Sequence, residues 1–365
     1  MLKVKGVRNV ENSVKVEETT EKTTEDSREL LDIGGKSIES LIEKAEDIKE
    51  NSSDYLVTKA NSENVRFNEN AGLTIIPDGG SAMSFQLSRY ALGQLGSKIG
   101  VPSRYLEKCV NSGRIDLAQD NVNSWLEDFN RDLFVREYQG RVRGILSSRY
   151  SVCDAPDILN TVSEVIDTSH YKVKGSYLNE ERLHLRLADT EMLPIDGEDL
   201  FAGIFIDSSD VGRSILTVKF GIYKQVCTNG LVVARAGGVL FEQKHIGINQ
   251  KEFQEGLKAS LAHVDSLVEN STQWVKRAKT LGAWGSRRDI RTRDLSKEEM
   301  ESFVNHIRNL TTLSRESSER VVSVMLEKYE DSRWGLINSI TEVAQDFTLE
   351  KRLDLERVAG DLLVA

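Results

Sequence analysis

Three times between Leu133 and Cys227 the apolar residues fall on every second position, and each time the alternation runs through a turn. "LFVREY-QG-RVRGIL" (Leu133 to Leu146) has Gln139-Gly140 where a two-residue hairpin would reverse. "YKVKGSYL-NEE-RLHLRLAD" forms a second pair. "FAGIFID" with "SILTVKFGIYKQVC" forms a third, in which Leu216, Val218, Phe220 and Ile222 share one face. A two-residue period demands a sheet buried on one side, because on a helix those residues would scatter around the axis.

Helical periods surround this region. A short amphipathic helix follows Ser37, with Ile38, Leu41, Ile42, Ala45 and Ile48 on one face, residues 84–130 read as helices, and Ala155 to Ile166 forms a crossing helix. From Gln250 the pattern is helical to the end. Phe253, Leu257, Leu261, Val264, Val268 and Val275 make one stripe on a long helix, and Ser296 with Glu299 is a capping box opening the next. The expected class is α+β: a mixed or antiparallel sheet core with flanking helices over residues 36–249, then a helical C-terminal domain over 250–365. Residues 1–35, rich in Thr, Glu, Lys and Ser, hold too little apolar surface to offset the entropy of ordering and are expected to be a disordered acidic tail.

Several functions lack the residues they need. The three cysteines (Cys109, Cys153, Cys227) and five histidines (His170, His184, His245, His263, His306) are scattered, with no CxxC, so neither a metal site nor a disulfide framework is expected. No cofactor motif stands out. The "GGKS" at Gly34 to Ser37 lacks the glycine five residues upstream that a phosphate loop requires, since Leu30 stands there. No run approaches the ~20 apolar residues of a membrane helix. "MLKVKGVRNVENSVKVEETT" lacks the apolar core of a signal peptide, which places the chain in the cytoplasm.

A net charge of −10 opposes a nonspecific grip on nucleic acid, yet two windows are basic. Residues 131–149 hold five Arg against two acids, and 274–293 hold seven Lys/Arg against one. With a two-residue turn at Gln139-Gly140, Phe134, Arg136, Tyr138, Arg141, Arg143 and Ile145 share one hairpin face, while Leu133, Val135, Val142 and Leu146 enter the core. Arginines neutralise phosphates and aromatic rings stack on unpaired bases, the combination that single-strand binders use. Arginine stems covering Phe134 and Tyr138 on a solvated sheet face would look the same. The second window places Lys276, Arg277, Arg287, Arg288, Arg291 and Arg293 near Trp274 and Trp284, with Trp284 in the loop-like "GAWGSRR". A third candidate is "SRYALGQLGSKIGVPSRYLEKC" (Ser88 to Cys109), whose turn glycine Gly100 and helix-opening Pro102 suit a helix-turn-helix. Its second helix would offer a DNA groove only Ser103, Arg104 and Lys108, and two packed core helices give the same spacing.

Catalytic candidates are weaker. Cys227 in "QVCTNGLVV" could be a nucleophile, but Asn229-Gly230 suggests a strand-ending turn beside a small buried cysteine. Asn338, Thr341 and Glu342 lie on one helical face beside Trp334 and Ile337, as a buried network or a solvated stripe.

"LSSRYSVCDAPDIL" (Leu146 to Leu159), "VCTNGLVV" (Val226 to Val233) and "WGLINSITE" (Trp334 to Glu342) resemble landmarks of the phage/plasmid-like proteins grouped as domain-of-unknown-function family 932. That family shows an R-Y-x-x-x-D segment (here Arg149, Tyr150, Asp154), a C-S/T-N-G-L segment (Cys227, Asn229, Gly230) and a W-G-x-x-N-x-x-T-E helix (Trp334, Asn338, Thr341, Glu342). "ALGQLGSKIGVPSRYLEKC" resembles the family's N-terminal region, so the likeness covers about residues 84–350. Ser339 stands where the family usually has Ala, and the acidic N-terminal extension has no counterpart. The resemblance implies a mobile-element origin, a bacteriophage in a bacterial cytoplasm, and no assigned activity. The order of elements is also similar to single-strand annealing proteins of the RecT and Erf kind, a likeness of architecture alone. The leading expectation is a non-catalytic protein that binds or anneals single-stranded DNA through the hairpin and the basic loop. The alternatives are a factor engaging a host or phage protein through its long helices, and a helix-turn-helix reader of duplex DNA.

Overall fold

Ser37 accepts a hydrogen bond from the Ser40 backbone and opens α1 (Ile38–Glu50), whose Ile38, Leu41, Ala45 and Ile48 are buried as their spacing predicts. The computed structural model describes residues 37–167, 169–195, 199–224, 229–232, 239–245, 250–261, 263–283 and 296–365. The N-terminal tail, Cys227, Trp284, Arg287, Arg288, Arg291 and Arg293 lie outside the described residues.

A first sheet follows α1. It comprises β1 (Ser52–Ala60), β2 (Val65–Phe67), β3 (Gly72–Ile75), β4 (Met83–Leu87), β5 (Arg131–Tyr138) and β6 (Arg141–Ser147), in the order β1-β5-β6-β4-β3-β2. Its pairings are antiparallel except β4 with β6, which are parallel. Between β4 and β5 run α2 (Arg89–Ile99), α3 (Ser103–Asn111) and α4 (Ile115–Glu127), which cover one face of the sheet. Leu95, Leu106, Val122 and Leu126 from the helices meet Phe67, Leu73, Leu133 and Val135 from the strands in one core. The helices expected over residues 84–130 begin only at Arg89, because 83–87 form β4, and β1 to β3 carry no two-residue period that marks them in the sequence. β2 to β4 are only three to five residues long and β4 alternates between partly exposed and exposed residues, while β1, nine residues long, buries only Val57 and Ala60, so no such period stands out.

The second sheet is antiparallel: β7 (Tyr171–Leu178), β8 (Leu183–Met192), β9 (Leu200–Ser208), β10 (Leu216–Lys224) and β11 (Asn229–Val232), with β12 (Val239–Gln243) also pairing along β10. α5 (Ala155–Val165) precedes it. α6 (Gln250–Leu261), α7 (Val264–Thr280), α8 (Lys297–Leu310), α9 (Arg315–Lys328), α10 (Arg333–Val343) and α11 (Leu349–Val364) follow. The α+β class with C-terminal helices is as expected.

Two details differ from the sequence reading. The single long helix expected from Phe253 to Val275 is two helices, α6 and α7. Phe253, Leu257, Val264 and Val275 nonetheless reach the same core, because a break that preserves the phase of a stripe leaves the period unchanged. The apolar clusters also divide the chain elsewhere than at residue 250. Residues of α1, α5, the second sheet and the C-terminal helices form one cluster, and the first sheet with α2 to α4 forms another. The chain therefore leaves the second lobe after α1, builds the first lobe from 52 to 147, and returns.

Candidate functional site

The β5–β6 hairpin turns at Gln139-Gly140 with both residues at positive φ, as its sequence predicts. Its register does not run straight. Tyr138 pairs with Arg141 and Glu137 with Val142, but Arg136 then pairs with Gly144, so Arg143 is the extra residue of a bulge. Beyond the bulge Val135 faces Ile145 and Phe134 faces Leu146, and Ile145 joins the core instead of sharing the arginine face.

The arginine face is a correction to the sequence reading. Arg136 and Arg143 are 1% and 2% exposed, because the second lobe packs against this side of the first sheet. Gly144 lets it approach: a Cβ there would lie 2.9 Å from Val211 Cβ. Arg136 donates to Asp54 (2.8 and 3.1 Å), to Asp154 (2.6 and 2.8 Å) and to the Asp210 carbonyl (2.7 Å). Arg143 donates to the Glu180 carbonyl and lies 3.6 Å from the Asp210 carboxylate. Burial and the neighbouring Asp154 push the Asp210 carboxyl up to about 7. Burial alone would raise Asp154 too, but the hydrogen bonds from Arg136 hold it below its ordinary range. Tyr150 completes this junction, donating to the Ser209 and Asp210 carbonyls and stacking 5.3 Å from the His245 ring and 6.2 Å from Phe134. These arginines are committed to holding two lobes together. Arg149 is exposed beside the junction, and Tyr138 is half-buried against the second core.

Arg141, at the hairpin tip, has the opposite surroundings. Its side chain is exposed and makes no hydrogen bond or ion pair to another described residue, its charge acting at longer range on Glu181, and it lines an open cleft of about 620 Å³. The cleft is bounded by α2 (Arg89, Tyr90, Gln94), the first turns of α3 (Ser103, Glu107), and Glu181 and Arg213 of the second lobe. Gln94 bridges the lobes, donating to the Val211 carbonyl and accepting from the Ile145 backbone. Arg213 lies over the Tyr90 ring at 5.6 Å and is held by Glu181 (3.2 Å) and Glu350 (2.7 Å). Arg89 meets Glu107 at 2.8 Å on the surface. Arg89, Tyr90 and Arg213 escaped sequence reasoning because each is unremarkable in its own segment, and only the packing of the lobes brings them to Arg141.

The stretch from Ser88 to Cys109 does form two helices around Gly100, which has φ 79°. Gly96 sits where a Cβ would be 2.6 Å from the Val101 carbonyl oxygen, and Leu95, Leu106 and Cys109 are buried. This helix pair packs as a wall of the cleft, with Arg104 and Lys108 exposed.

The remaining motif residues gather elsewhere. Asn229 and Gly230 begin β11 opposite Lys224 and Tyr223. The Lys224 ammonium donates to Asn338 Oδ1 (3.2 Å) and lies 5.8 and 5.9 Å from the Tyr329 and Trp334 rings. Asn338 also donates to the Trp334 carbonyl, Thr341 to the Ile337 and Asn338 carbonyls, and Glu342 accepts from Tyr329 and Lys328. The Trp334 to Glu342 segment is thus a mostly buried network. Lys276 and Arg277 lie exposed at the end of α7. Among the described residues no group of three or more His, Cys, Asp or Glu could hold a metal ion, and no helix is long and apolar enough to cross a membrane.

The model of one protein family, described as a domain of unknown function (DUF932), matches residues 142–357. The match takes in β6 and nearly all of the second lobe, and leaves Arg89, Tyr90 and Arg141 outside it. No curated protein and no solved structure matches the chain.

Proposed function

The chain belongs to the DUF932 family, and we propose that it binds single-stranded nucleic acid, without catalysis, in the cleft between its two lobes. One observation carries this reading: Arg141 projects unpaired into a cleft that also presents Tyr90, Arg89 and Arg213. Arg141 supplies a charge for a phosphate, and Tyr90 supplies a ring on which an unpaired base can stack. Arg89 can exchange Glu107 for a phosphate at little cost, since an exposed ion pair is worth little. A duplex read through α3 is a separate matter, because Arg104 and Lys108, the side chains that helix would offer a groove, are exposed but are not among the residues lining the cleft. The setting that accords with this reading is the bacterial cytoplasm and the DNA of a mobile element.

Fluorescence anisotropy with single-stranded and duplex oligonucleotides at two salt concentrations tests it. Arg141→Gln should flatten the slope of log affinity against log salt by about 0.7, the share of one phosphate on a single strand. Tyr90→Ala should cost about 1–3 kcal/mol of affinity with the slope unchanged. Equal affinity for duplex, or no binding at low salt, would sink the proposal.

A second reading, a protein partner, draws on a different surface. The apolar stripe of α6 and α7 is spent in the core, but Trp125 is 56% exposed on α4, two turns from the exposed Leu117. Tyr105 joins them through a hydrogen bond from Asn121. Loss of a partner complex on Trp125→Ser, with oligonucleotide binding absent throughout, would favour this reading over the first.

A further inference from the structure

The loop between β9 and β10, residues 209–215, touches the lobe junction and the cleft at once. The Ser209 hydroxyl closes it on itself, accepting from the Val211 and Arg213 backbones at 3.3 and 3.0 Å. The Asp210 carbonyl accepts from Arg136 and Tyr150. Val211 packs against Gly144, which has no side chain to hold it off, and the Val211 carbonyl accepts from Gln94. Two residues further on, Arg213 lies over Tyr90 in the cleft. A displacement of Asp210 is therefore felt at two residues that line the cleft.

Two guanidiniums and three carboxyl groups meet behind this loop. Arg136 spends all five of its N–H groups, four on Asp54 and Asp154 and one on the Asp210 carbonyl, and has none left for the Asp210 carboxyl. Arg143 faces that carboxyl at 3.6 Å but donates to the Glu180 carbonyl. Asp210 Oδ1 and Arg143 Nε are both buried without a hydrogen-bond partner among the described residues. With Asp210 protonated, the two arginines balance Asp54 and Asp154. With it ionised, one negative charge is left over on a residue 4% exposed. The other neighbours supply no cation. Burial keeps Tyr150 and Cys153 protonated and His245 neutral, Lys49 is paired with Asp157 at 3.4 Å, and Arg213 is held by Glu181 and Glu350 on the cleft side. Arg143, Arg136 and the Ala155 backbone favour an ionised Asp210, but burial and Asp154 outweigh them, and the carboxyl is pushed up to about 7.

We propose that this loop is a proton-operated latch between the lobes: with Asp210 protonated it seats on Gly144 and Gln94, and on releasing that proton to solvent it shifts outward, carrying Arg213 off Tyr90 and reshaping the cleft. A buried carboxylate left over after the pairing is relieved by moving toward water. The Arg136–Asp154 pair is made in both states, so the response is a local shift and not a separation of the lobes. The seated loop holds the proton at a pH where a free aspartate has lost it, so acid favours the seated state and alkaline pH the shifted one. The latch belongs to the lobe junction and works whether or not the cleft takes a nucleic acid.

Methyl, aromatic and carboxyl NMR of the full chain between about pH 5 and about pH 8.5 tests the proposal. The Val211 methyl and Tyr90 ring signals should both shift along a one-proton curve whose midpoint matches that of the Asp210 ¹³C carboxyl signal, about 7. Asp210→Asn keeps the shape and cannot ionise, so both signals should stay at the parent's acid-limit positions throughout. The parent titration decides even if that variant does not fold, because the Asp210 carboxyl signal assigns the midpoint. Val211 and Tyr90 signals that stay put, a midpoint apart from that of Asp210, or the same shifts surviving in Asp210→Asn would overturn it.

Discussion

The base and the tip of one hairpin use the same residue type in opposite ways. At the base Arg136 and Arg143 lie under the second lobe among Asp54, Asp154 and Asp210; at the tip Arg141 faces open solvent. An arginine buried among carboxylates is committed to them, because separating the charges in a dry junction costs more than any surface pairing returns. An exposed arginine keeps its charge available. The difference lies in what packs above each residue, and strand alternation carries no record of that.

The largest test of this contrast is Arg136→Ala, which should destabilise the fold by about 3–5 kcal/mol in chemical denaturation, because it strands the buried Asp154 carboxylate beneath the second lobe. A cost below about 1 kcal/mol, the scale of an exposed pair, would make the base no different from the tip. Next comes the wall of the cleft. Gly96→Ala should cost about 1–3 kcal/mol by forcing α2 from Val101, and should weaken oligonucleotide binding only through the displaced Tyr90.

The pH dependence of the junction sharpens the contrast further. The Asp210 carboxyl, pushed up to about 7, keeps its proton in the folded chain when the unfolded chain has lost it. Its stabilising contribution is therefore complete below about pH 4 and disappears as pH rises through 7. Asp210→Asn cannot ionise, so it should gain stability on the parent protein as pH rises from about 4 to about 7. Burial holds His184 and His245 below their ordinary values, so their stabilisation is lost on acidification; present in both proteins, it cancels from the difference. A difference flat across that range would show Asp210 ionised throughout. The smallest expected effect is at the tip, where Arg141→Gln should leave stability within about 0.5 kcal/mol while changing the salt slope of binding.

Much of the fold was legible because its signals are local. Gln139-Gly140 marked the hairpin, Ser37 and Ser296 marked helix starts, and Leu216 to Ile222 marked an inward face. The bulge at Arg143 was not legible: one extra residue reverses the facing of everything beyond it, yet no side chain announces it. The cleft was half legible. Arg141 came from a basic window, but Tyr90 and Arg213 are 123 residues apart and meet only through the packing of the lobes. The face of β8 that holds His184 and Arg186 was visible as alternation, although the pairing of Arg186 with Glu356 of α11 spans some 170 residues.

The first lobe is an insertion between α1 and α5, and this orders events on the ribosome. The apolar face of α1 belongs to a core whose other members begin with Cys153 and Ala155. At roughly 5–20 residues per second, α1 waits on the order of 10 s after synthesis for those partners to emerge. The inserted lobe has its whole core within residues 57–145 and can close during that interval. Vectorial synthesis should therefore yield a folded first lobe carrying an exposed, sticky helix, and a chaperone or a pause in translation would act on this chain at α1.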